Sequence, residues 1–231
     1  MGLPRLNNEM YFKASVLFLL FLLLVFDRDM ALIYILILVG DFIWYRFDKN
    51  ITFPLERRTD NRFSSLLEVG IATAIFFIIS SAAVKLAAVD MSSSFQSILS
   101  LLATSTPILA GNKMLTIIGW GILIPIIETS FFFGRVFEGI ATFAGNRFST
   151  NISLQKITMA VIMVILVIAS FFTLFHLTAK NLASIPLLIT FIFACMSCIL
   201  VIRNQHLREA ILLHITVNTL AVLNSFGMLS F

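Results

Sequence analysis

The stretch MLTIIGWGILIPIIETSFFFGRVFEGIATFA, residues 114–144, decides how this chain is read. It runs longer than the ~20 mostly apolar residues that cross a hydrocarbon core, yet it carries Pro125 and Glu128 in its middle. An acid at the centre of a spanning helix costs roughly 2.5–3.5 kcal/mol on insertion scales, and it is kept where it meets protein or water rather than lipid. Pro125 removes a backbone N–H, and its ring clashes with the preceding turn, so a kink is expected three residues before the acid. Freed backbone groups at that depth are tolerated only against protein or a watery cavity. The stretch therefore reads as a membrane helix whose middle faces a polar interior.

The rest of the chain supports lipid as the solvent. Of 231 residues, 59% are apolar, 24 are Phe and 12% are charged, against ~45–50% apolar and ~25% charged in a soluble domain. Seven stretches are long and apolar enough to span, at about 12–26, 30–47, 63–89, 114–144, 154–178, 183–202 and 209–229. The first has no small-residue cleavage site before Asp27-Arg28-Asp29 and reads as an uncleaved anchor. Residues 94–110, rich in Ser and Thr and holding Pro107, read either as an eighth span or as an interfacial or re-entrant segment.

Charge placement favours seven. With the N-terminus inside, Arg5, Lys13, Arg46, Lys49, Arg57, Arg58, Arg62, Arg147, Lys156, Arg203 and Arg208 fall inside, and Arg28, Lys113 and Lys180 outside. That is eleven against three, the expected positive-inside bias. Counting 94–110 as a span weakens it to nine against five. The expected fold is all-α, a polytopic membrane helix bundle forming a single membrane-embedded domain over 1–231. The net charge of +4 reports this topology and contact with anionic membrane lipid. It excludes nucleic acid as a partner, because no soluble basic domain exists to hold a duplex.

Local signals open two of the helices: Asn151 or Ser153 can cap the fifth span, and Ser184 with Pro186 starts the sixth. Cys195 and Cys198 share one helix face in the sixth span, without flanking ligands, and read as packing residues rather than a redox or metal pair.

The ionisable residues within spans that call for an explanation make a short list: Asp41, Glu68, Lys85, Glu128, Arg135, Glu138, His176 and His214. Arg135 and Glu138, three apart, read as a local ion pair. Asp41 and Glu68 pair with nearby cations or snorkel, and Lys85 reaches the outer interface. Glu128 stands apart, 15 residues after Lys113 and 19 before Arg147, with no opposite charge a turn away. His214 shares a helix face with Asn218, and His176 with Phe172.

One Glu, two His and one Asn from three spans have joint chemical meaning. A carboxylate beside an imidazole can hold and deprotonate water, and a second imidazole with an amide can donate hydrogen bonds to an oxyanion. Glu128, His176 and His214 equally make a three-ligand catalytic set for a divalent metal such as zinc. The residues alone leave both readings open; the first requires no cofactor.

The segments IIETSFFFG (126–134), FTLFH (172–176) and REAILLHITVN (208–218) resemble, in order, the motifs of the CPBP family. These are CAAX proteases and bacteriocin-processing membrane endopeptidases, including type II CAAX prenyl endopeptidases. The family's motifs are Glu-Glu-x-x-x-Arg followed by Gly, then Phe-x-x-x-His, then His-x-x-x-Asn. Glu128 and Gly134 match the first, Phe172 and His176 the second, His214 and Asn218 the last. The resemblance covers about 114–228, the expected catalytic core. It implies an intramembrane endopeptidase in a prokaryotic cell membrane. There Glu128 and His176 activate water, His214 and Asn218 form the oxyanion hole, and the substrate is a membrane-associated or prenylated peptide or protein. Two positions depart: the second Glu is Thr129 and the Arg is Phe133, so a supporting ion pair is lost as a unit. Arg135, about 200° further around the helix, cannot replace it without a bulge.

Two other functional classes fit these residues. One is a non-catalytic relative, serving as an immunity factor or as a binding subunit with partner subunits in a membrane complex. The other is a small proton-coupled transporter using Glu128 and His176 as a relay. One geometric demand is sharp. His176 stands four residues before Lys180, whereas His214 stands six after Arg208 on the opposite side. Straight helices would hold them far apart in depth, so convergence requires strong tilts or a connection 179–184 sunk into the protein.

Overall fold

The computed structural model describes residues 62–86, 95–103, 112–137, 140, 154–176, 184–204 and 207–229. The first two expected spans, the polar loop 48–62 apart from its last residue, the caps at Asn151 and Ser153, and most of the 179–184 connection lie outside them. Every regular element described is helical: α1 (Arg62–Leu86), α2 (Phe95–Ala103), a continuous central helix, α5 (Leu154–Phe175), α6 (Ser184–Asn204) and α7 (Arg208–Ser225). The central helix runs through α3 (Lys113–Thr116), a π-helical stretch π1 (Ile117–Leu123), α4 (Ile124–Thr129) and a second π-helical stretch π2 (Ser130–Val136).

Four of the helices are long and apolar enough to cross a membrane: Ser65–Leu86, Lys113–Gly134, Thr158–Phe175 and Ile185–Asn204. They match the expected third to sixth spans. The expected seventh, α7, is not among them, and of 94–110 only the short α2 is described, so a count of seven spans is not established. The reason for α7 is positional. It packs against α1, α2, π1, α4 and α6, and Ser225 is its one exposed residue. A helix enclosed by protein need not be apolar all round, and α7 carries Glu209, His214, Thr216, Asn218 and Thr219.

Around α7 the bundle is organised for lipid. Leu66, Ile71, Ile75 and Ile78 of α1, Met114 and Leu123 of the central helix, and Met159, Ile162 and Leu166 of α5 face outward. Glu128, Thr129, Ser197, Glu209 and His214 are buried. Apolar outside and polar inside is the arrangement a hydrocarbon solvent selects. With the apolar spans, it makes this an integral membrane protein.

The central helix starts where Asn112 accepts the Leu115 N–H on its side-chain oxygen, at 3.2 Å, an N-cap that satisfies one orphan donor. Pro125 does not break it. The backbone stays right-handed helical through Leu123 and Ile124, and π1 widens the turn just before the proline, with the Ile124 N–H reaching back five residues to the Gly119 carbonyl. In α or π register, the N–H that Pro125 lacks would have met the carbonyl of Gly121 or Trp120. Helix α7 supplies a donor to each: the Thr219 hydroxyl to Gly121 O at 3.1 Å and the Asn218 amide to Trp120 O at 3.4 Å. The expected kink thus takes the form of a π turn clamped by a neighbouring helix, one recognised way in which membrane helices re-satisfy backbone freed by proline.

That clamp depends on close approach. A Cβ at Gly121 would lie 3.0 Å from Thr219 Oγ1 and 3.4 Å from its Cα, the small-residue contact by which membrane helices bring their backbones together. Gly121→Ala should push α7 away and destabilise the fold by about 1–3 kcal/mol, read as an earlier unfolding midpoint in a denaturing-detergent titration. Gly70→Ala on α1, where a Cβ meets nothing within 4 Å, should leave the midpoint unchanged or raise it slightly.

Candidate functional site

Three helices bring their chemistry to one carboxylate oxygen. Glu128 is on α4, His176 closes α5 in the turn after Phe175, and His214 lies near the middle of α7. Glu128 Oε2 is 3.6 Å from His214 Nε2 and 3.9 Å from His176 Nε2. Glu128 and His214 are buried, whereas His176 keeps partial exposure, 18% for its side chain. The side nearest His176 is therefore the accessible one.

The depth problem is solved by where α5 stops. Ring contacts pair Phe172 with Phe132 and Phe133, and Phe175 with Phe132, so α5 runs antiparallel to the central helix and ends at the level of Glu128. His176 is its last described residue and lies beside the carboxylate. Helix α7 also runs antiparallel to the central helix: His214 meets Thr129, and Thr219 meets Gly121.

Each imidazole is anchored through its other nitrogen. His176 Nδ1 lies 2.7 Å from the Phe172 carbonyl oxygen. A carbonyl only accepts, so Nδ1 carries a proton there and, in the neutral ring, Nε2 presents a lone pair. His214 Nδ1 lies 2.9 Å from Thr129 Oγ1. Aromatic rings hold both imidazoles in place. Phe172 has its centroid 4.4 Å from that of His176 and 6.0 Å from that of His214, and Phe193 lies 4.7 Å from His214. The Phe-x-x-x-His motif therefore does two tasks one turn apart: the ring packs on both imidazoles, and its carbonyl orients His176.

Asn218 is placed differently from the other three. It shares the His214 face of α7, but its amide nitrogen faces the carbonyl oxygen of Trp120, eight residues before Glu128 on the central helix. The arrangement unites Glu128, His176 and His214 and engages Asn218 with the clamp at Pro125. Among the described residues, no three His, Cys, Asp or Glu side chains are grouped as metal ligands.

The departures from the family motif have a packing explanation. Phe133, in place of Arg, is fully buried against Phe172 at 5.2 Å between centroids, and Thr129, in place of Glu, is fully buried beside His214. Exchanging both members of a buried ion pair for well-packed neutral groups is often neutral or stabilising, so loss of the pair does not require loss of the fold.

Of the other ionisable residues, Glu68 accepts from Asn204 Nδ2 at 2.8 Å and pairs with Arg203 at 3.4 Å, the expected neutralisation by a nearby cation. Lys85 lies exposed in the last turn of α1. Asp41, Glu138 and the Arg135 side chain lie outside the described residues. Glu209, absent from the sequence-derived set, is buried and receives the Ser65 hydroxyl at 2.7 Å and the Arg208 guanidinium at 3.0 Å. Cys198 is fully buried in the apolar core and Cys195 packs at its edge, as packing residues would. Thr129, Thr219 and the Phe172 carbonyl are the contributors that sequence reading missed. Thr129 left a trace as a motif departure and Phe172 as a motif residue, whereas Thr219 left none.

Residues 110–220 match the family model described as type II CAAX prenyl endopeptidase Rce1-like, over the same region that carries the CPBP motifs. No curated protein and no solved structure matches the chain significantly.

A carboxylate held among buried aromatics should cost stability. Glu128→Gln should unfold no earlier than the parent protein in detergent, because it removes a buried acid without changing volume. Phe172→Ala should cost about 3–5 kcal/mol, because its ring supports both imidazoles and the Phe132–Phe133 layer.

Proposed function

With residues 110–220 an Rce1-like segment of the CAAX-protease type, we propose that this protein is an intramembrane endopeptidase that hydrolyses a peptide bond in or beside the membrane. The observation that carries the reading is one carboxylate oxygen, Glu128 Oε2, lying within 3.9 Å and 3.6 Å of two imidazole Nε2 atoms from different helices. Glu128 and His176 are the water-activating pair. A water ~2.8 Å from both Oε2 and the His176 Nε2 lone pair donates one hydrogen to each and turns its own lone pairs toward the substrate. On attack at the scissile carbonyl, the water oxygen bonds to carbon and one water proton passes to Glu128 or His176. The carbonyl oxygen takes the negative charge. The His214 Nε2–H is the donor for that oxyanion, joined by the second N–H of the Asn218 amide. Collapse of the tetrahedral intermediate breaks the C–N bond, and the stored proton moves to the leaving amine.

The substrate class follows from the family and from the setting: a membrane-associated peptide, with a C-terminal prenylated CAAX sequence as the first to try. The membrane-embedded domain spans 1–231, with its catalytic core at 114–228, in a prokaryotic cell membrane with the N-terminus inside. The replacements at Thr129 and Phe133 support a second reading, a non-catalytic relative acting as an immunity factor or as a binding subunit. The same experiment separates the two.

Purified protein in lipid nanodiscs should cleave a prenylated CAAX peptide at one bond, followed by mass spectrometry. Glu128→Gln and His176→Gln should each lower the rate by about 100- to 10,000-fold, the usual contribution of a positioned acid–base group. No cleavage of any membrane-anchored peptide by the parent protein, with Glu128→Gln retaining biological function, would establish the non-catalytic reading.

A further inference from the structure

The hydroxyl of Thr129 does not make the local bond that most of the helical Ser and Thr hydroxyls make. Thr73, Thr116, Ser130, Thr173 and Thr190 each donate to the carbonyl four residues back, at 2.7–3.0 Å. This local bond is the default for a hydroxyl in a helix. Thr129 instead crosses to α7 and meets His214 Nδ1 at 2.9 Å, and it is fully buried. Among the described residues His214 is its hydrogen-bond partner.

The direction of that bond follows from two separate considerations. A buried hydroxyl must place its hydrogen on an acceptor, and here the acceptor at hand is His214 Nδ1. Were Nδ1–H to donate to the hydroxyl instead, the Thr129 hydrogen would lack an acceptor, at a cost of ~1–3 kcal/mol. The second consideration lies at the other end of the ring. His214 Nε2 is 3.6 Å from Glu128 Oε2, and a carboxylate oxygen accepts, so a proton on Nε2 is favoured there and a lone pair is repelled.

We propose that Thr129 is a positioning residue that donates to His214 Nδ1 and thereby holds His214 as its Nε2–H tautomer, the form able to donate to a substrate oxyanion. The Phe172 carbonyl imposes the opposite tautomer on His176. Two chemically identical side chains are thus set to opposite tasks by their outer hydrogen bonds, one as acceptor and one as donor. This rests on the endopeptidase reading for its consequence in catalysis, but the tautomer itself is independent of any substrate. It also gives a role to the threonine that stands where the family motif has a second Glu.

The test is long-range 1H–15N correlation NMR on full-length protein in nanodiscs, with imidazole signals assigned by removing His176, His206 and His214 one at a time. The expected result is a neutral His214 protonated on Nε2 and a neutral His176 protonated on Nδ1. Thr129→Val, which keeps the shape and loses the hydroxyl, should move His214 toward Nδ1–H or a mixture, and Thr129→Ser should restore the parent pattern. In the peptidase assay, Thr129→Val should lower kcat by roughly 10-fold with KM little changed. A parent His214 protonated on Nδ1, or a His214 tautomer indifferent to Thr129→Val, would overturn the proposal. If Thr129→Val does not fold, the parent spectrum alone decides it. An inactive parent protein with the expected tautomers would refute the peptidase reading and leave this one standing.

Discussion

A carboxylate in the interior of an apolar bundle must be met by polar groups, and among the described residues His176 and His214 bring theirs to Glu128 from two other helices. The 3.6 Å and 3.9 Å approaches of His214 and His176 to its Oε2 bind α4, α5 and α7 to one point. The end of α5, the register of α7 and the buried Thr129 all meet there. In hydrocarbon the requirement is stricter than in water, because an unmet polar group has no solvent to fall back on. Around that point the packing is aromatic. Phe132, Phe133, Phe172 and Phe193 form a dry wall that leaves the edge of His176 as the accessible side and strengthens every electrostatic interaction within.

The same logic governs the backbone. Pro125 leaves the carbonyls of Trp120 and Gly121 without its N–H, and a helix turning outward to lipid there would lose those bonds. Helix α7 faces that turn with Asn218 and Thr219, and Gly121 has no side chain to hold the helices apart. One helix therefore repairs the proline turn with one part of its face and offers His214 to Glu128 with the next. The spacing His-x-x-x-Asn places these two contacts one turn apart, so an amide that clamps backbone and an imidazole that faces the site belong to a single constraint on how α7 lies against the central helix.

The altered first motif is consistent with this economy. Thr129 and Phe133, where the family motif has a charged pair, put no ions into the apolar interior, fill the volume with a ring tilted against Phe172, and leave a hydroxyl within reach of His214. Glu128, His176, His214 and Asn218 keep the positions that resemble the family's motifs, and the outer contacts of the two histidines go to a carbonyl and a hydroxyl, neither of which bears charge.

Much of this was legible in the sequence. The excess of apolar residues, the length of the stretches and the scarcity of charge were enough to name lipid as the solvent and helix as the element, because each is a one-dimensional property that the bilayer tests directly. Glu128, His176 and His214 stood out for the same reason, as costs that lipid would not tolerate. Which polar groups meet was not legible. Spacing of three or four residues tells which side chains share a face, but not how far one helix slides or turns against another, and that is set by packing between helices distant in sequence. Hence the sequence alone left the depths of His176 and His214 in conflict, whereas the ending of α5 beside Phe132 reconciled them. It likewise assigned Asn218 by motif, while the tertiary structure put its amide on Trp120 O. It saw Thr129 only as a missing acid, and the fold made it the partner of His214, because a hydroxyl's acceptor is chosen by what three-dimensional packing brings within 3 Å.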